Sequence, residues 1–298
     1  MNRRFYTLDV FTTMPLAGNP LAVVLDSEGL DDAKMQSIAR EFNLSETVFV
    51  FPPRDSSNRA ALRIFTPASE LPFAGHPTVG TAVLLAVLDG KSSASFGLEE
   101  KIGRVDCVVS SDLATKGEAV FTLPRLPERI GDAAPYVVMA EALGVLSEEI
   151  GFDAHEPIIA SAGVGFTFVP LKTKDAVTRA SIKGASWNEA FGAAGRPNVF
   201  IYSRETVEVG HHFHARMFAP HLGVGEDPAT GSAVAAFARA FVDFERPRDG
   251  TTRVIIEQGY AMGRPSQITL EVDCVNGALS AARIGGSAVV VSEGTLRA

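Results

Sequence analysis

The stretch Arg63–Ala82 decides the fold, because the chain carries its pattern twice. In the first copy RIFTP at 63–67 leads to GHPTVGTA at 75–82, and in the second RMFAP at 216–220 leads to EDPATGSA at 226–233. Each copy has Arg-x-Phe-x-Pro, a short loop, and His or Asp before Pro-x-x-Gly-[Thr/Ser]-Ala. The second copy begins 153 residues after the first in a chain of 298. A period of half the chain predicts two related halves rather than a solenoid of small repeats.

The composition is that of a globular chain, with 46% hydrophobic and 21% charged residues. The net charge of −8 is spread without a basic stripe, which argues against a nucleic-acid partner because such surfaces need clustered Lys and Arg. Two cysteines without CxxC spacing are typical of a reducing, cytoplasmic compartment. The first residues predict neither a signal peptide nor an anchor, and the apolar run 79–88 is too short to span a membrane.

Hydrophobic periodicity and turn residues predict a similar order of elements in both halves. We expect strands at 5–11, 21–25, 47–51 and 61–65, a helix from Asp31 to Phe42, and a helix over 78–88 with Pro77 in its first turn. In the second half we expect strands at 199–202 and 212–218 and a helix opened by Pro228. The proline-rich segment 123–129 predicts a crossing between domains 1–123 and 124–298, followed by an accessory helix at 136–143.

The two helices after the motifs, 78–88 and 233–241, have almost no polar face. A helix of this kind must be enclosed on most sides. We therefore expect an α+β fold in which each half wraps a curved, mostly antiparallel sheet around one central helix.

The chemistry is expected at the starts of these two helices. Free backbone N–H groups there favour an anion such as a carboxylate, although glycine and proline also make tight turns without any ligand. His76 and Asp227 occupy the same place in the two copies, so an imidazole and a carboxylate could share a proton across a cleft. Both could equally be caps or surface residues, and Ser232 could simply bond backbone.

Three other groups are candidates. Glu46 lies between a predicted helix and an apolar strand, where burial would raise a carboxyl pKa and suit it to proton transfer, although an exposed Glu is the more common case. His211, His212 and His214 invite a metal interpretation, but no ligand nearby in sequence completes a set, so no metal is predicted. The run 258–266 is either a substrate contact or a turn.

Several phrases together resemble the PhzF family of phenazine-biosynthesis isomerase-like proteins. They span most of the chain: DVF at 9–11, GNPLAV at 18–23, SET at 45–47, FAGHPTVG at 73–80, GEDPATGS at 225–232, QG at 258–259 and GRPS at 263–266. The resemblance implies the diaminopimelate-epimerase-like fold with two pseudo-symmetric halves. It also implies a homodimer.

The resemblance further implies a cofactor-free isomerisation in which a Glu shuttles a proton with help from a His, an Asp and a Ser. By motif these catalytic residues fall on Glu46, His76, Asp227 and Ser232. The substrate contacts expected around them are Gly18, Asn19, Gly75, Thr78, Thr230 and Gly231. Epimerases of the same fold use two cysteines at the loop–helix junctions. Ala74–His76 and Asp227–Ala229 hold none, which disfavours a two-thiol racemase.

We therefore expect one active site between the halves that shifts a proton on a small, for instance cyclic, carboxylate. Two alternatives stay open. One is a non-catalytic protein that binds a small ligand or a partner on the same scaffold, and the other is an epimerase or racemase without the cysteine pair.

Overall fold

A computed structural model describes residues 2–192, 198–222 and 224–298, which form two compact units. Unit 1 contains Met1–Pro124, Arg264–Gln267 and Ile284–Ala298, and unit 2 contains Arg125–Gly263 and Ile268–Arg283. The sequence-based division at 123/124 instead assigns residues 264–267 and 284–298 to the second domain. The difference arises because the last two strands run through residues 266–275 and 278–297 without a proline at either change of unit.

Unit 1 is a ring of strands around one helix. Its elements, numbered in chain order, are β1 Asn2–Val10, β2 Asn19–Val24, α1 Asp32–Phe42, β3 Glu46–Phe51, β4 Asn58–Phe65, β5 Glu70–Leu71, α2 Gly75–Leu88, β6 Ser93–Glu100, β7 Gly103–Ser111 and β8 Lys116–Thr122. Neighbours in the ring are β1, β2, β3, β4, β6, β7 and β8, and the later part of the last strand pairs with both β8 and β1. Of these pairings, β2 with β3 and β4 with β6 are parallel.

The helix α2 fills this ring. All its residues from Gly75 to Ala86 are buried, and it packs against β1, β2, β3, β6, β7 and β8. Gly80 is required by that enclosure, because a Cβ there would lie 2.6 Å from a Leu21 methyl group and 2.7 Å from one of Val10. The burial predicted for 78–88 is confirmed except at its end, where Leu88 is 40% exposed.

Helix α1 brings the chain to the start of β3. Asp31 caps its first turn by accepting a hydrogen bond from the Lys34 N–H, in agreement with the predicted start. Asn43 ends the helix in the left-handed conformation, with φ of 51°. The chain then turns so that Glu46 begins β3 beside Leu21 of β2.

Unit 2 contains a comparable set of elements. They are β9 Glu128–Asp132, α3 Tyr136–Leu143, β10 Ile158–Ser161, β11 Gly165–Pro170, α4 Lys174–Arg179, α5 Trp187–Phe191, β12 Val199–Ser203, β13 Phe213–Ala219, β14 Val224–Asp227, α6 Gly231–Glu245, β15 Gly250–Gln258, β16 Ser266–Val275 and β17 Ala278–Arg297, of which β16 and β17 have residues in both units. From β11 to β15 the parallel and antiparallel pairings follow the same order as from β2 to β6.

Helix α6 is the buried helix of unit 2. Its residues are buried from Gly231 to Val242 apart from the half-buried Ser232 and Arg239, so the predicted burial is confirmed. Phe237 packs among four aromatic rings with centroid distances of 4.9–6.0 Å, on Phe168, Phe200, Tyr202 and Phe213. Such contacts add to the free energy gained from burying the rings.

The predicted elements differ from the structure mainly at their ends. Each predicted strand matches an observed strand with ends that agree within about three residues, and the accessory helix 136–143 matches α3. Pro228 does not open a helix, because Thr230 is the N-cap and α6 begins at Gly231. The crossing segment 123–129 ends in an unpredicted strand, β9, which pairs with β10. Among the helices of the described residues, none is long and apolar enough to cross a membrane.

Candidate active site

Glu46 and His76 meet in unit 1. Glu46 is the first residue of β3, and His76 lies in the first turn of α2. The His76 Nε2 atom lies 3.2 Å from the Glu46 Oε2 atom, and the two side chains are only 5% and 16% exposed. Two residues that are 30 positions apart in sequence therefore form one acid–base pair, with the imidazole buried and the carboxyl half-buried.

Burial lowers the pKa of His76 to about 3, although a hydrogen bond from the ring to the Pro20 carbonyl favours the protonated form. The ring is therefore neutral at pH 7 and carries a single N–H. Because that N–H serves the Pro20 carbonyl, the Nε2 atom facing Glu46 is an acceptor. The 3.2 Å contact between Oε2 and Nε2 does not have the geometry of a hydrogen bond in this structure, but it places a carboxyl group and a neutral imidazole side by side.

The Pro20 carbonyl is positioned by a tight turn in unit 1. Gly18 has φ of +64°, and a Cβ there would lie 2.3 Å from the Val10 carbonyl oxygen, so no other residue fits. Arg264 donates hydrogen bonds to the Gly18 carbonyl at 2.7 Å and to the Ala17 carbonyl at 2.6 Å. The same guanidinium binds the buried Asp9 carboxylate at 2.5 Å.

The position of Arg264 decides between two interpretations of the run 258–266. The sequence allows this run to be a cationic contact to a substrate or a turn. In the structure the guanidinium of Arg264 is bound inside unit 1 and supports the turn that holds His76. No local signal indicates this role, because Arg264 and Asp9 lie 255 residues apart.

Asp227 and Thr230 form the matching junction in unit 2. Asp227 ends β14, is 8% exposed, and accepts a hydrogen bond of 2.6 Å from the Thr230 hydroxyl. The fully buried Gln258 donates to the Asp227 carbonyl at 2.7 Å and to the Thr230 hydroxyl at 3.0 Å, and it accepts from the Thr230 N–H at 3.1 Å. Every polar atom of the Gln258 side chain is therefore used to hold the start of α6.

The other residues predicted to contact the substrate lie at the start of α2, at the start of α6 and at the turn where β2 begins. Gly231 and the half-buried Ser232 are the first two residues of α6, and Gly75 is the first residue of α2. Asn19, which is fully buried, begins β2 after Gly18. Thr78 is also fully buried, and its hydroxyl lies 2.8 Å from the Ala74 carbonyl oxygen and 2.7 Å from the Glu100 carboxyl.

His211, His212 and His214 do not share one face. His211 and His214 each place Nδ1 2.7 Å from the carboxylate of Glu257, which has no exposed surface. His212 instead accepts a hydrogen bond from the Ile255 N–H. Within residues 2–192, 198–222 and 224–298, no group of three or more His, Cys, Asp or Glu is arranged to hold a metal ion.

Glu257 is strongly stabilised as a carboxylate. Burial by itself raises its pKa, but hydrogen bonds from His214, His211 and the backbone N–H groups of Val207 and Glu208 outweigh that effect. Together they lower its pKa to about 2. Reasoning from the sequence missed this acid because it is 43 residues from His214.

The two cysteines are buried free thiols, Cys107 on β7 and Cys274 on β16. Burial raises the pKa of both thiols. A thiol becomes a nucleophile or a base only as the thiolate, so neither cysteine is set up for catalysis.

Comparison with known proteins identifies the family to which the chain is similar. The sequence profile of the family described as "Phenazine biosynthesis-like protein" matches residues 8–294. An uncharacterised isomerase of Mesorhizobium japonicum is 49% identical to the chain over 99% of this chain and 98% of its own. The trans-2,3-dihydro-3-hydroxyanthranilate isomerase of Pseudomonas aeruginosa is 31% identical over 98% of each chain.

Structural comparison gives the same result. The crystal structure of a PhzF-family phenazine biosynthesis protein from Bacillus anthracis matches this chain with a TM-score of 0.90 and 25% identity over the full length of both chains. The epimerase-like α+β fold predicted from the motifs is thereby confirmed.

Proposed function

Because the chain belongs to the phenazine biosynthesis-like (PhzF) family, we propose that it is an isomerase that moves a proton between two carbon atoms of a small carboxylate without a cofactor. The observation that carries this proposal is the contact of 3.2 Å between Glu46 and His76. A half-buried carboxyl beside a neutral imidazole is suited to general acid–base catalysis, because the carboxyl can carry the proton in transit while the imidazole accepts a hydrogen bond from it.

In the proposed mechanism Glu46 removes a proton from a carbon that neighbours an unsaturated or electron-withdrawing group. The electron pair of the C–H bond moves into the substrate and shifts its double bond. Glu46, now a neutral acid, donates to His76 Nε2 and so keeps the proton in place. It then returns the proton to a second carbon, so that substrate and product have the same composition.

We propose that the residues of unit 2 serve the same reaction. The first backbone N–H groups of α6, at Gly231 and Ser232, are suited to bind negative charge that develops on the substrate. Ser232 would add a hydrogen bond to the substrate. Asp227, held by Thr230 and Gln258, would orient a polar group of the substrate or balance charge during the shift.

The substrate is proposed as a small cyclic carboxylate, on the ground that a relative 31% identical to this chain is named for trans-2,3-dihydro-3-hydroxyanthranilate. Three further proposals are a homodimer, which rests on family membership, a cytoplasmic location, which rests on composition, and an origin of the two units by duplication, which rests on the repeated motif. The matching order of strand pairings supports the last of these.

The test is solvent deuterium incorporation with trans-2,3-dihydro-3-hydroxyanthranilate as the first probe, followed by related cyclic carboxylates. Glu46→Gln keeps the size of the side chain but removes the proton acceptor. We expect exchange to fall by at least about 10²-fold while binding of the probe is retained. Glu41→Gln, which changes an exposed carboxyl of α1 in the same unit, is the matched control and should leave exchange unchanged.

Two outcomes would decide against the proposal. Exchange by Glu46→Gln at the wild-type rate would remove Glu46 as the base. Binding of the probe by wild-type protein without any exchange would instead indicate a ligand-binding protein. If the two units act in one reaction, Glu46→Gln and Asp227→Asn should combine to much less than the product of their separate effects.

A further inference from the structure

Another carboxyl besides Glu46, the buried Glu100, touches the start of the helix that carries His76. Glu100 ends β6 and is 8% exposed. Its Oε1 atom lies 2.7 Å from the hydroxyl of Thr78, which is two residues after His76 in the first turn of α2. Its Oε2 atom is buried without a hydrogen-bond partner among the described residues.

The protons at this contact can be counted. The Thr78 hydroxyl oxygen lies 2.8 Å from the Ala74 carbonyl, which can only accept, and 2.7 Å from Glu100. A hydroxyl has one proton to donate. If Thr78 donates to Ala74, the contact with Glu100 is a hydrogen bond only when Glu100 is a neutral acid that donates to Thr78. A carboxylate would leave one of the two contacts without a proton.

The surroundings also favour the neutral acid. An ionised Glu100 would place charge on a buried oxygen that has no donor among the described residues, which is costly. The neighbouring Lys101 does not compensate, because its ammonium is bound to Glu70 at 2.7 Å. On β7 the group nearby is Cys107, whose thiol pKa is raised mainly by burial and further by Glu100. On α2 His76 is the one titratable side chain.

We infer that Glu100, as a neutral acid, is a positioning residue for His76. Glu100 donates to Thr78, and Thr78 donates to the Ala74 carbonyl, so the two hydrogen bonds fix the turn in which His76 faces Glu46. The catalytic consequence rests on the proposed function, whereas the hydrogen-bond chain itself does not. Burial raises the pKa of Glu100 to about 8, so the chain should break as the pH rises through that value.

The experiment compares two substitutions of one residue. Glu100→Gln keeps a neutral donor of the same size, and Glu100→Leu keeps the volume without a donor. We expect Glu100→Gln to retain kcat within about twofold and Glu100→Leu to lose at least about tenfold in kcat with a smaller change in KM, because misplacing His76 affects the chemical step. In wild type kcat should fall above pH 8, and in Glu100→Gln this fall should be absent. Glu41→Gln is the matched control.

A second readout needs no substrate. The ¹⁵N resonances of the His76 ring should shift near pH 8 in wild type, stay constant in Glu100→Gln, and be displaced at all pH values in Glu100→Leu. If Glu100→Leu does not fold, Glu100→Met takes its place, because its side chain is also apolar and has no donor.

The inference is overturned if Glu100→Gln behaves like Glu100→Leu, or if the His76 resonances of wild type do not respond near pH 8. These outcomes are separate from failure of the proposed function. Exchange by Glu46→Gln at the wild-type rate would remove the catalytic role of the pair, while the His76 spectra would still report on the hydrogen-bond chain.

Discussion

At the scale of single residues, His76 shows how burial sets a chemical role. The side chain is 5% exposed, and its one N–H is committed to the Pro20 carbonyl. Because of those two facts, the ring faces Glu46 as a neutral acceptor and not as a positively charged imidazolium. The turn at Gly18, held by Arg264, is what places the Pro20 carbonyl for this purpose.

We predict that the His76 ring stays neutral from pH 8 down to pH 5, because burial lowers its pKa to about 3. The pKa in the folded chain lies below the ordinary value of 6.5, so the unfolded chain takes up the proton first as the pH falls. Stability from this residue is therefore complete above pH 6.5 and decreases below it, by about 2 kcal/mol at pH 5.

NMR titration of the ring nitrogens checks the first statement, with His76→Gln used to assign the resonances. Urea unfolding at pH 7 and pH 5 checks the second, since wild type should lose more stability than His76→Gln over this range. A ring that titrates with a midpoint near 6.5 would contradict both.

At the scale of elements, Glu257 joins two strands and the loop before one of them. It lies on β15 and accepts hydrogen bonds from His214 on β13 and His211 just before β13. The next residue along β15 is Gln258, which holds the start of α6. If the hydrogen bonds of Glu257 are lost, we therefore expect the adjacent Gln258 to shift, and with it the hydrogen bonds that hold Asp227 and Thr230.

We predict that Glu257→Gln destabilises the protein by about 3 kcal/mol at pH 7, since the amide offers one acceptor oxygen where the carboxylate received four donors. The hydrogen bonds hold the pKa of Glu257 at about 2, below its ordinary 4.5. Their contribution is complete above pH 4.5 and is lost as the pH falls from 4.5 to 2. The variant should lack this loss of stability in acid.

Urea unfolding as a function of pH measures the effect of Glu257→Gln. Glu208→Gln, at an exposed neighbouring carboxyl, is the control and should keep the wild-type pH profile. Equal acid sensitivity of wild type and Glu257→Gln would show that the four hydrogen bonds do not stabilise the fold.

Contacts between elements also explain which residues could not be identified from the sequence. The repeated motif identified α2 and α6, since a helix without a polar face can only be buried, and it pointed to His76 and Asp227. It did not reveal Glu100, Gln258 or Glu257. Their roles depend on contacts with residues 22 to 50 positions away, which only the folded chain brings together.

At the scale of the whole molecule, neither unit is one continuous stretch of the chain. Unit 1 consists of the first 124 residues of the chain, the short segment Arg264–Gln267 and the last fifteen residues, Ile284–Ala298. Within this unit the later part of β17 pairs with β1 and with β8. Among the described strands it is the one between them, so the ring around α2 cannot close without it.

We predict that a chain ending at Arg283 loses the structure of unit 1 while unit 2 stays folded. Without residues 284–298, β1 and β8 both become unpaired edges, and α2, which has no polar face, is opened to water. Hydrogen exchange followed by mass spectrometry should show rapid exchange over residues 2–122. Fluorescence of the single tryptophan, Trp187, should stay as in the full chain, because it is buried in unit 2.

A peptide of residues 284–298 supplies the matching control, because it offers the missing strand without restoring the covalent link. If strand pairing is what unit 1 lacks, saturating peptide should slow exchange over residues 2–122, whereas a peptide of the same composition in scrambled order should not. Exchange in the truncated chain as slow as in the full chain would mean that α2 and β1–β8 are stable without closure. The end of the chain would then not be needed to close the ring, although the Glu46–His76 contact, which is made within residues 1–124, would be unaffected.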